Sequence, residues 1–263
     1  MIPRVRLLLG LLVYSCSMLS GCSCSREAGK TDTSRAQAPI RVAVAANFTG
    51  PAGQLGRAFE QQHPGAKVEL SSGSSGKLYA QIANGAPFDV FLSADADRPK
   101  KLENQGLAVV GSRKLYALGK LVLVGSALKS SSDGESVLRT GEFKHLAIAN
   151  PDTAPYGVAA QQVLVKLGLW EKLQPRIVRG ESITQTHQFV TSGAAELGFV
   201  ALASVLGDSH PRWDVPPSLY EPIRQEAILL KQAADHPLAD DFMSFLEGAS
   251  AKTTILAAGY GTK

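Results

Sequence analysis

VELSSGSSGKLYAQI, residues 68–82, decides how the rest of the chain is read. Val68-Glu69-Leu70 has the composition of a strand, and Leu78, Ile82 and Ala83 recur at the spacing of one helix face. Between them lie Ser71, Ser72, Gly73, Ser74, Ser75 and Gly76, a loop of small polar residues. A strand that feeds such a loop into a helix makes an anion cradle. The first N–H groups of the helix have no internal partners, and the helix dipole and serine hydroxyls add to them. The loop lacks the Gly-Lys-Ser/Thr ending of a nucleotide P-loop, because Lys77 is followed by Leu78. Taken alone it is equally a capped helix start. The functional reading depends on repetition of the device elsewhere in the chain.

The body after residue 39 alternates strands and helices. Strands are expected at 41–46, 67–70, 88–93, 121–124, 145–149, 176–178, 197–202 and 227–230. Helices are expected at 53–62, 77–84, 99–105, 156–167, 183–191, 238–247 and 253–257. This alternation predicts an α/β fold of parallel sheets covered by helices on both faces, with ligand beyond the carboxyl ends of the strands. Four polar loops fall there. They are Asn47–Gly50, the Ser/Gly loop, Asn150–Pro155, and Arg179–Ser182, where Ser182 and Gln185 have the spacing of a capping box. Apart from Arg179 the loop cores carry no Lys or Arg. The implied ligand is an anion held by neutral dipoles.

The first residues have a different character. Arg4 and Arg6 precede a short apolar run, Leu7 to Val13, and then Leu19-Ser20-Gly21-Cys22. The run is too short to span a bilayer and has the layout of a secretory signal. Its ending resembles a lipoprotein signal, in which Cys22 is lipidated and becomes the new N-terminus. Residues 1–21 are expected to be signal and 22–39, polar and without apolar period, a flexible tether. All three cysteines (16, 22 and 24) lie in this region, so the body has no disulfide, thiolate metal site or Cys nucleophile. Loss of residues 1–21 leaves 25 basic and 23 acidic side chains, a net charge of +2 that offers nothing to nucleic acid.

The blocks AVAANFTGP (43–51), SSGSSGKLYAQI (71–82), GAPFDVFLSADA (85–96), LAIANPDTAPYGVAAQQVLVKLG (146–168) and ELGFVAL (196–202) resemble, in order, the periplasmic molybdate-binding proteins of ABC importers. The resemblance covers nearly all of 40–263. It implies a two-lobed type II periplasmic-binding fold, each lobe a mostly parallel sheet flanked by helices, with ligand in the inter-lobe cleft. The crossovers would lie near Leu121–Val124 and Pro222–Leu230, giving one lobe of 40–122 plus 224–263 and another of 123–223. It implies anion contacts from Asn47, Ser75, Tyr156 and the backbone amide of Ile183, with Ala46 as a further contributor. Many members carry a Tyr in the strand matching LGFVAL, where this chain has Ala201. That donor is missing here, and amides at Asn47 and Ala46 are expected to compensate.

The resemblance further implies a binding protein and not an enzyme, without cofactor. It would capture molybdate or tungstate for the membrane permease of an ABC importer. It would work as a monomer in the periplasm or at the cell surface, held to the membrane by an N-terminal lipid. The residues themselves favour an acceptor-only dianion such as molybdate, tungstate or sulfate. Phosphate near neutral pH keeps a proton and asks for a buried carboxylate. The nearby carboxylates Asp152 and Glu181 are expected to be solvated loop charges or helix-dipole complements. The choice of molybdate over sulfate comes from the resemblance alone. A secreted hydrolase of phosphate or sulfate esters would use the same cradles, but it needs a nucleophile with a base or metal. Ser74 and Ser75 lack a nucleophile-elbow pattern, and the five histidines are scattered without ligand spacing. Asp89, Asp95 and Asp97 are expected to be caps and loop charges, and Trp170 and Trp213 packing residues.

Overall fold

The structure, a computed structural model, is described for residues 38–208 and 211–262. The expected signal, Cys22 and the tether up to residue 37 lie outside the described residues. No helix among the described residues is long and apolar enough to cross a membrane.

The first sheet contains β1 (Ile40–Ala45), β2 (Val68–Gly73), β3 (Val90–Leu92), β4 (Lys114–Gly119) and β10 (Ile223–Leu229), in the order β2-β1-β3-β10-β4. The second contains β5 (Leu121–Val124), β6 (Leu146–Ala149), β7 (Ile177–Gly180), β8 (Leu197–Ala201) and β9 (Arg212–Asp214), in the order β7-β6-β8-β5-β9. The two sheets therefore share one plan. Three parallel strands run side by side, and the fourth strand, delivered by a crossing segment, is inverted. The sheets are thus mixed, where the sequence suggested parallel ones. Alternation with helices identifies crossover units but carries no information about the direction of the strand that closes each sheet.

The chain leaves the first sheet after Gly119 and enters the second at Leu121. It leaves the second after Asp214 and returns at Ile223. Leu121 and Val122, grouped with the first lobe from sequence, are strand residues of the second sheet. Both faces of each sheet are covered. Ile40, Val42 and Val44 pack with Leu55 and Phe59 of α1 (Thr49–Gln62) and with Phe242 of α8 (Ala239–Phe245). α9 (Ala249–Ala257) adds Ile255 to that layer. Ala43 and Phe91 face Leu78 and Ile82 of α2 (Ser75–Ala83) and Leu102 of α3 (Asp97–Asn104). In the second lobe Leu146, Ile148 and Phe199 pack on α5 (Pro155–Lys166) and α6 (Trp170–Leu173). Val122, Val124 and Val200 lie on the other face, against Val190 of α7 (Ile183–Thr191). Each such side chain contributes about 1.5–3 kcal/mol when fully buried, and the main core of the second lobe continues to Ala45, Ala94 and Ile223 of the first.

Several boundaries differ from the sequence reading. β2 runs on through Ser71, Ser72 and Gly73, which pair with Ala43, Val44 and Ala45. Arg179 and Gly180 likewise belong to β7. Parallel pairing along β1 and β6 overrides the weak strand propensity of Ser and Gly. β4, β9, α6 and α4 (Gly134–Thr140) were not expected. They are short or mixed in polarity, and periodicity says little over so few residues. Trp213 is buried where Gly134 leaves room for it, and Trp170 packs against the second core, so both are packing residues.

Candidate functional site

Three helix starts and one 3-10 turn meet between the lobes. By topology β1 matches β6 and β2 matches β7, so the turn after β1 matches the loop before α5, and the start of α2 matches the start of α7. Asn47, in the 3-10 turn Ala46–Phe48, and Ser75, the first residue of α2, come from the first lobe. Tyr156, the second residue of α5, and Ile183, the first of α7, come from the second. These four residues, with Ala46, line one cavity. It leaves about 10 Å³ for the centre of a water-sized sphere, about what a single water needs.

Helix-start N–H groups at Ser75, Tyr156 and Ile183 have no partner inside their own helices. The Ser75 hydroxyl accepts the Ala94 N–H at 2.9 Å, which leaves its own hydrogen to donate. Ala94 also lines the cavity, as do Ala154 and Pro155, and no Lys, Arg, His, Asp or Glu does so among the described residues. Asp152 is exposed. Glu181 pairs instead with Lys77 across the lobes, at the rim. Arg179 is exposed. The lining offers donors and helix dipoles, and no carboxylate to receive a ligand proton.

Of the amides expected to compensate for Ala201, the side-chain amide of Asn47 is committed elsewhere. Its amide nitrogen donates to Gln225 Oε1 at 2.9 Å and to the Tyr260 hydroxyl at 3.1 Å. Both side-chain hydrogens are thereby used within the first lobe, and the backbone is what remains for the cavity. Ala201 is fully buried and pairs with Leu121. The Tyr156 hydroxyl accepts from Gln225 Nε2 at 3.2 Å. A side chain at Gly119 would collide with that hydroxyl, so glycine there gives the ring its place. Burial, with neighbouring phenols adding to it, pushes the Tyr156 hydroxyl well above its ordinary pKa, so it keeps its proton.

Residues that the sequence reading passed over complete the site. Gln225 is fully buried in β10, next to a bulge against β4 between Gln225 and Glu226. The Tyr116 hydroxyl lies 3.1 Å from both the Ser93 carbonyl and Gln225 Oε1 and has one hydrogen to share between them. Ser74 also lines the cavity; its hydroxyl is buried and has no hydrogen-bond partner. The signal for Ser74 was present in the Ser-Ser pair, but none existed for Gln225, because Gln-Glu interrupts the apolar run of its strand.

The lobes touch around the cavity. Gly76 N–H donates to the Thr153 carbonyl at 2.8 Å, and Arg98 Nη2 to the Asp152 carbonyl at 3.3 Å. A side chain at Gly76 would come within 2.9 Å of Thr153 Cα, so this approach requires glycine. The remaining candidates have structural roles. Asp89 accepts the Arg41 N–H, Asp95 caps and pairs with Arg98, and Asp97 opens α3. Ser182 accepts the Gln185 N–H at 3.3 Å, but the Gln185 side chain reaches Glu181 N–H rather than that of Ser182, so the capping box closes one residue early. No group of three metal-ligating side chains exists among the described residues.

Comparison with known proteins agrees with this architecture. Residues 40–261 match the family model of bacterial extracellular solute-binding proteins. The chain is 51% identical over 228 residues to the molybdate-binding protein ModA of Azotobacter vinelandii, covering 85% of this chain and 90% of that one. It is 46% identical over 225 residues to the molybdate-binding protein ModA of Rhodobacter capsulatus, covering 85% and 88%. The solved periplasmic molybdate-binding protein of Azotobacter vinelandii superposes with a TM-score of 0.81, covering 85% of this chain and 99% of that one. The two mixed-sheet lobes are those of a type II periplasmic-binding fold.

Proposed function

The chain belongs to the bacterial extracellular solute-binding proteins, and on that premise we propose that it captures molybdate, or tungstate, and delivers it to the permease of an ABC importer. It is a binding protein and not an enzyme. The observation that carries the reading is the cavity between the lobes, small, rich in donors and lined by no cation or carboxylate among the described residues. A dianion without protons fits such a lining, since every oxygen accepts and no ligand hydrogen needs a partner. The relatives whose names state molybdate span almost the whole body, which favours this solute over sulfate and over ester hydrolysis.

In this reading Asn47, Ser75, Tyr156 and Ile183 bind the anion, with Ala46 beside them, and Asn47 acts through its backbone. The lobes, 40–119 plus 223–262 and 121–214, move as bodies about the two crossings. Only the closed form brings both sets of donors to the ligand, so binding favours closure. The protein works outside the cytoplasm as a monomer. Acylated Cys22 holds it at a membrane surface, with residues 23–39 as slack; a lipoprotein N-terminus carries more than the single chain that gives only marginal anchoring. Calorimetric titration with molybdate, tungstate, sulfate and phosphate tests the central claim. Molybdate and tungstate should bind far more tightly than phosphate, and a preference for phosphate would overturn it. Mass spectrometry of the membrane fraction should find lipid on Cys22; an unmodified Cys22 would refute the anchor.

A further inference from the structure

The turn that brings Asn47 to the cavity is gripped from behind by the end of the chain. Ala46–Phe48 is a single 3-10 turn without a side-chain cap, and its first N–H groups have no partner inside it. So short a turn has little backbone ladder of its own to hold its aim. The Asn47 carbonyl can only accept, so the Tyr260 hydroxyl, 2.6 Å away, donates to it. With its hydrogen spent, the Tyr260 oxygen accepts from Asn47 Nδ2 at 3.1 Å. An Asn47 amide turned the other way would set two acceptors against each other. Main chain and side chain of one residue are thus tied to a single oxygen. The second Nδ2 hydrogen goes to Gln225 Oε1 at 2.9 Å. Burial pushes the Tyr260 phenol up, so it keeps the proton that the grip needs.

Tyr260 is itself fixed on three sides. α9 ends at Ala257, and Gly259, at φ +85°, turns the chain back toward the core. A side chain at Gly259 would be strained there and would come within 3.0 Å of Leu206 Cδ1. The Tyr260 ring then meets Phe48 edge-on, with ring centres 5.2 Å apart. Gly261 exchanges hydrogen bonds with Leu118 in both directions, at 2.7 and 2.8 Å. That bridge pins the end of the chain to β4 one residue before the strand ends at Gly119 and the chain crosses to the second lobe.

We propose that Tyr260 and Gly261 form a C-terminal clip that positions the Ala46–Asn47 backbone for the anion, so that the end of the chain belongs to the binding machinery without lining the cavity. The inference rests on the oxyanion reading above and adds a positioning residue to it. Tyr260 is absent from the lining and acts only through Asn47. The carbonyl bond sets the plane of the Asn47–Phe48 peptide, and the Nδ2 bond sets the side-chain torsions. Together they limit rotation about the Asn47 Cα, on which the aim of its N–H depends. Without the hydroxyl the turn would still follow β1, but its donors would be free to tilt, and a loosely held donor loses much of its value to a ligand.

Molybdate calorimetry on the full chain, with urea unfolding of the same variants, tests the clip. Tyr260→Phe keeps the ring against Phe48 and removes both bonds, and it should weaken binding about tenfold. Asn47→Ala keeps the carbonyl bond and loses the amide one, and it should weaken binding about three- to fivefold. The double variant should bind no more than about twofold worse than Tyr260→Phe alone, because both changes release the same turn. Phe59→Leu trims the core of the same lobe where it meets Phe242 and Phe245. It should lower stability in urea and leave affinity within about twofold. Unchanged affinity in Tyr260→Phe, losses that multiply in the double variant, or an equal loss of affinity in Phe59→Leu would overturn the clip and leave the oxyanion reading intact. If Tyr260→Phe fails to fold, Asn47→Ala decides, and unchanged affinity there would overturn the clip. A wild-type protein that binds no molybdate would overturn the oxyanion reading and the clip with it.

Discussion

Ser74 and Ser182 stand at equivalent points of the two lobes. Each is an extended residue that follows one of the matched strands β2 and β7 and precedes a nine-residue helix. Ser182 spends its hydroxyl on the Gln185 N–H and stabilises α7. Ser74 makes no cap bond; its hydroxyl is buried, unpartnered and at the cavity. The same residue in the same topological place is a structural cap in one lobe and an open polar wall in the other. Where the cap is made, the loop after β7 has only backbone to offer, at Ile183. Where it is not made, hydroxyls remain for a ligand, at Ser74 and Ser75.

This division sets the order of expected effects. Ile183→Pro should be the most damaging to molybdate binding, because a backbone donor has no side-chain substitute. Proline suits the first helical position, and Ser182, at φ −147° and ψ 166°, already has the backbone that a residue before proline prefers. The helix should therefore survive while the N–H is lost. A charge-assisted bond of about 1.5–3 kcal/mol corresponds to one to two decades of affinity, and the upper end is expected here. Calorimetry of Ile183→Val, which keeps the N–H, should show a change below about threefold. Equal losses in the two variants would mean that the side chain, not the amide, is what counts. Ser75→Ala comes next. It removes one donor and also leaves the Ala94 N–H without its acceptor, so a loss of about ten- to a hundredfold is expected in the same titration.

The sequence carried the two-lobed plan because crossover units repeat and their loops share a composition. The cavity residues were legible for the same reason, since a residue that begins a helix after a strand is marked by its neighbours. Asn47, Ser75, Tyr156 and Ile183 were all of this kind. The direction of β5 and β10 was not legible, because strand polarity is decided by which distant strand a segment joins. Gln225 was hidden by a longer-range effect. Its partners Asn47, Tyr116, Tyr156 and Tyr260 are scattered from the first strand to the end of the chain, and only the fold makes its burial tolerable by satisfying its amide. Asn47 lines the cavity, but the job of its side chain depends on Tyr260, some two hundred positions away.

The serine pair gives a smaller effect that separates the lobes by stability rather than affinity. Ser182→Ala removes a working cap and should cost about 1 kcal/mol of unfolding free energy. Ser74→Ala removes no hydrogen bond from the protein and relieves an unpartnered buried hydroxyl, so stability should hold within about 0.5 kcal/mol. Urea titration of both variants without ligand checks this. If Ser74→Ala proves the more destabilising, the contrast between a capped and an open helix start fails.

The smallest effect belongs to the rim, where Lys77 and Glu181 reach across from α2 to the loop before α7. Their side chains are 51% and 61% exposed, so water and salt screen them, and an exposed pair contributes about 0–1 kcal/mol. Lys77→Ala removes both this clasp and a positive charge near the cavity mouth, and both losses act against the anion-bound closed form. The expected change in molybdate affinity is below about fivefold at physiological salt, and it should shrink as ionic strength rises and the Debye length falls from about 8 Å. Glu181→Ala loses the clasp but also a repulsion toward the dianion, so its change should be smaller still. Calorimetry at low and high salt distinguishes these outcomes. A Lys77→Ala variant that no longer binds at physiological salt would mean that an ammonium group touches the anion. The difference between the lobes would then be one of charge, not of hydroxyl against backbone, and the donor-only cavity would be wrong.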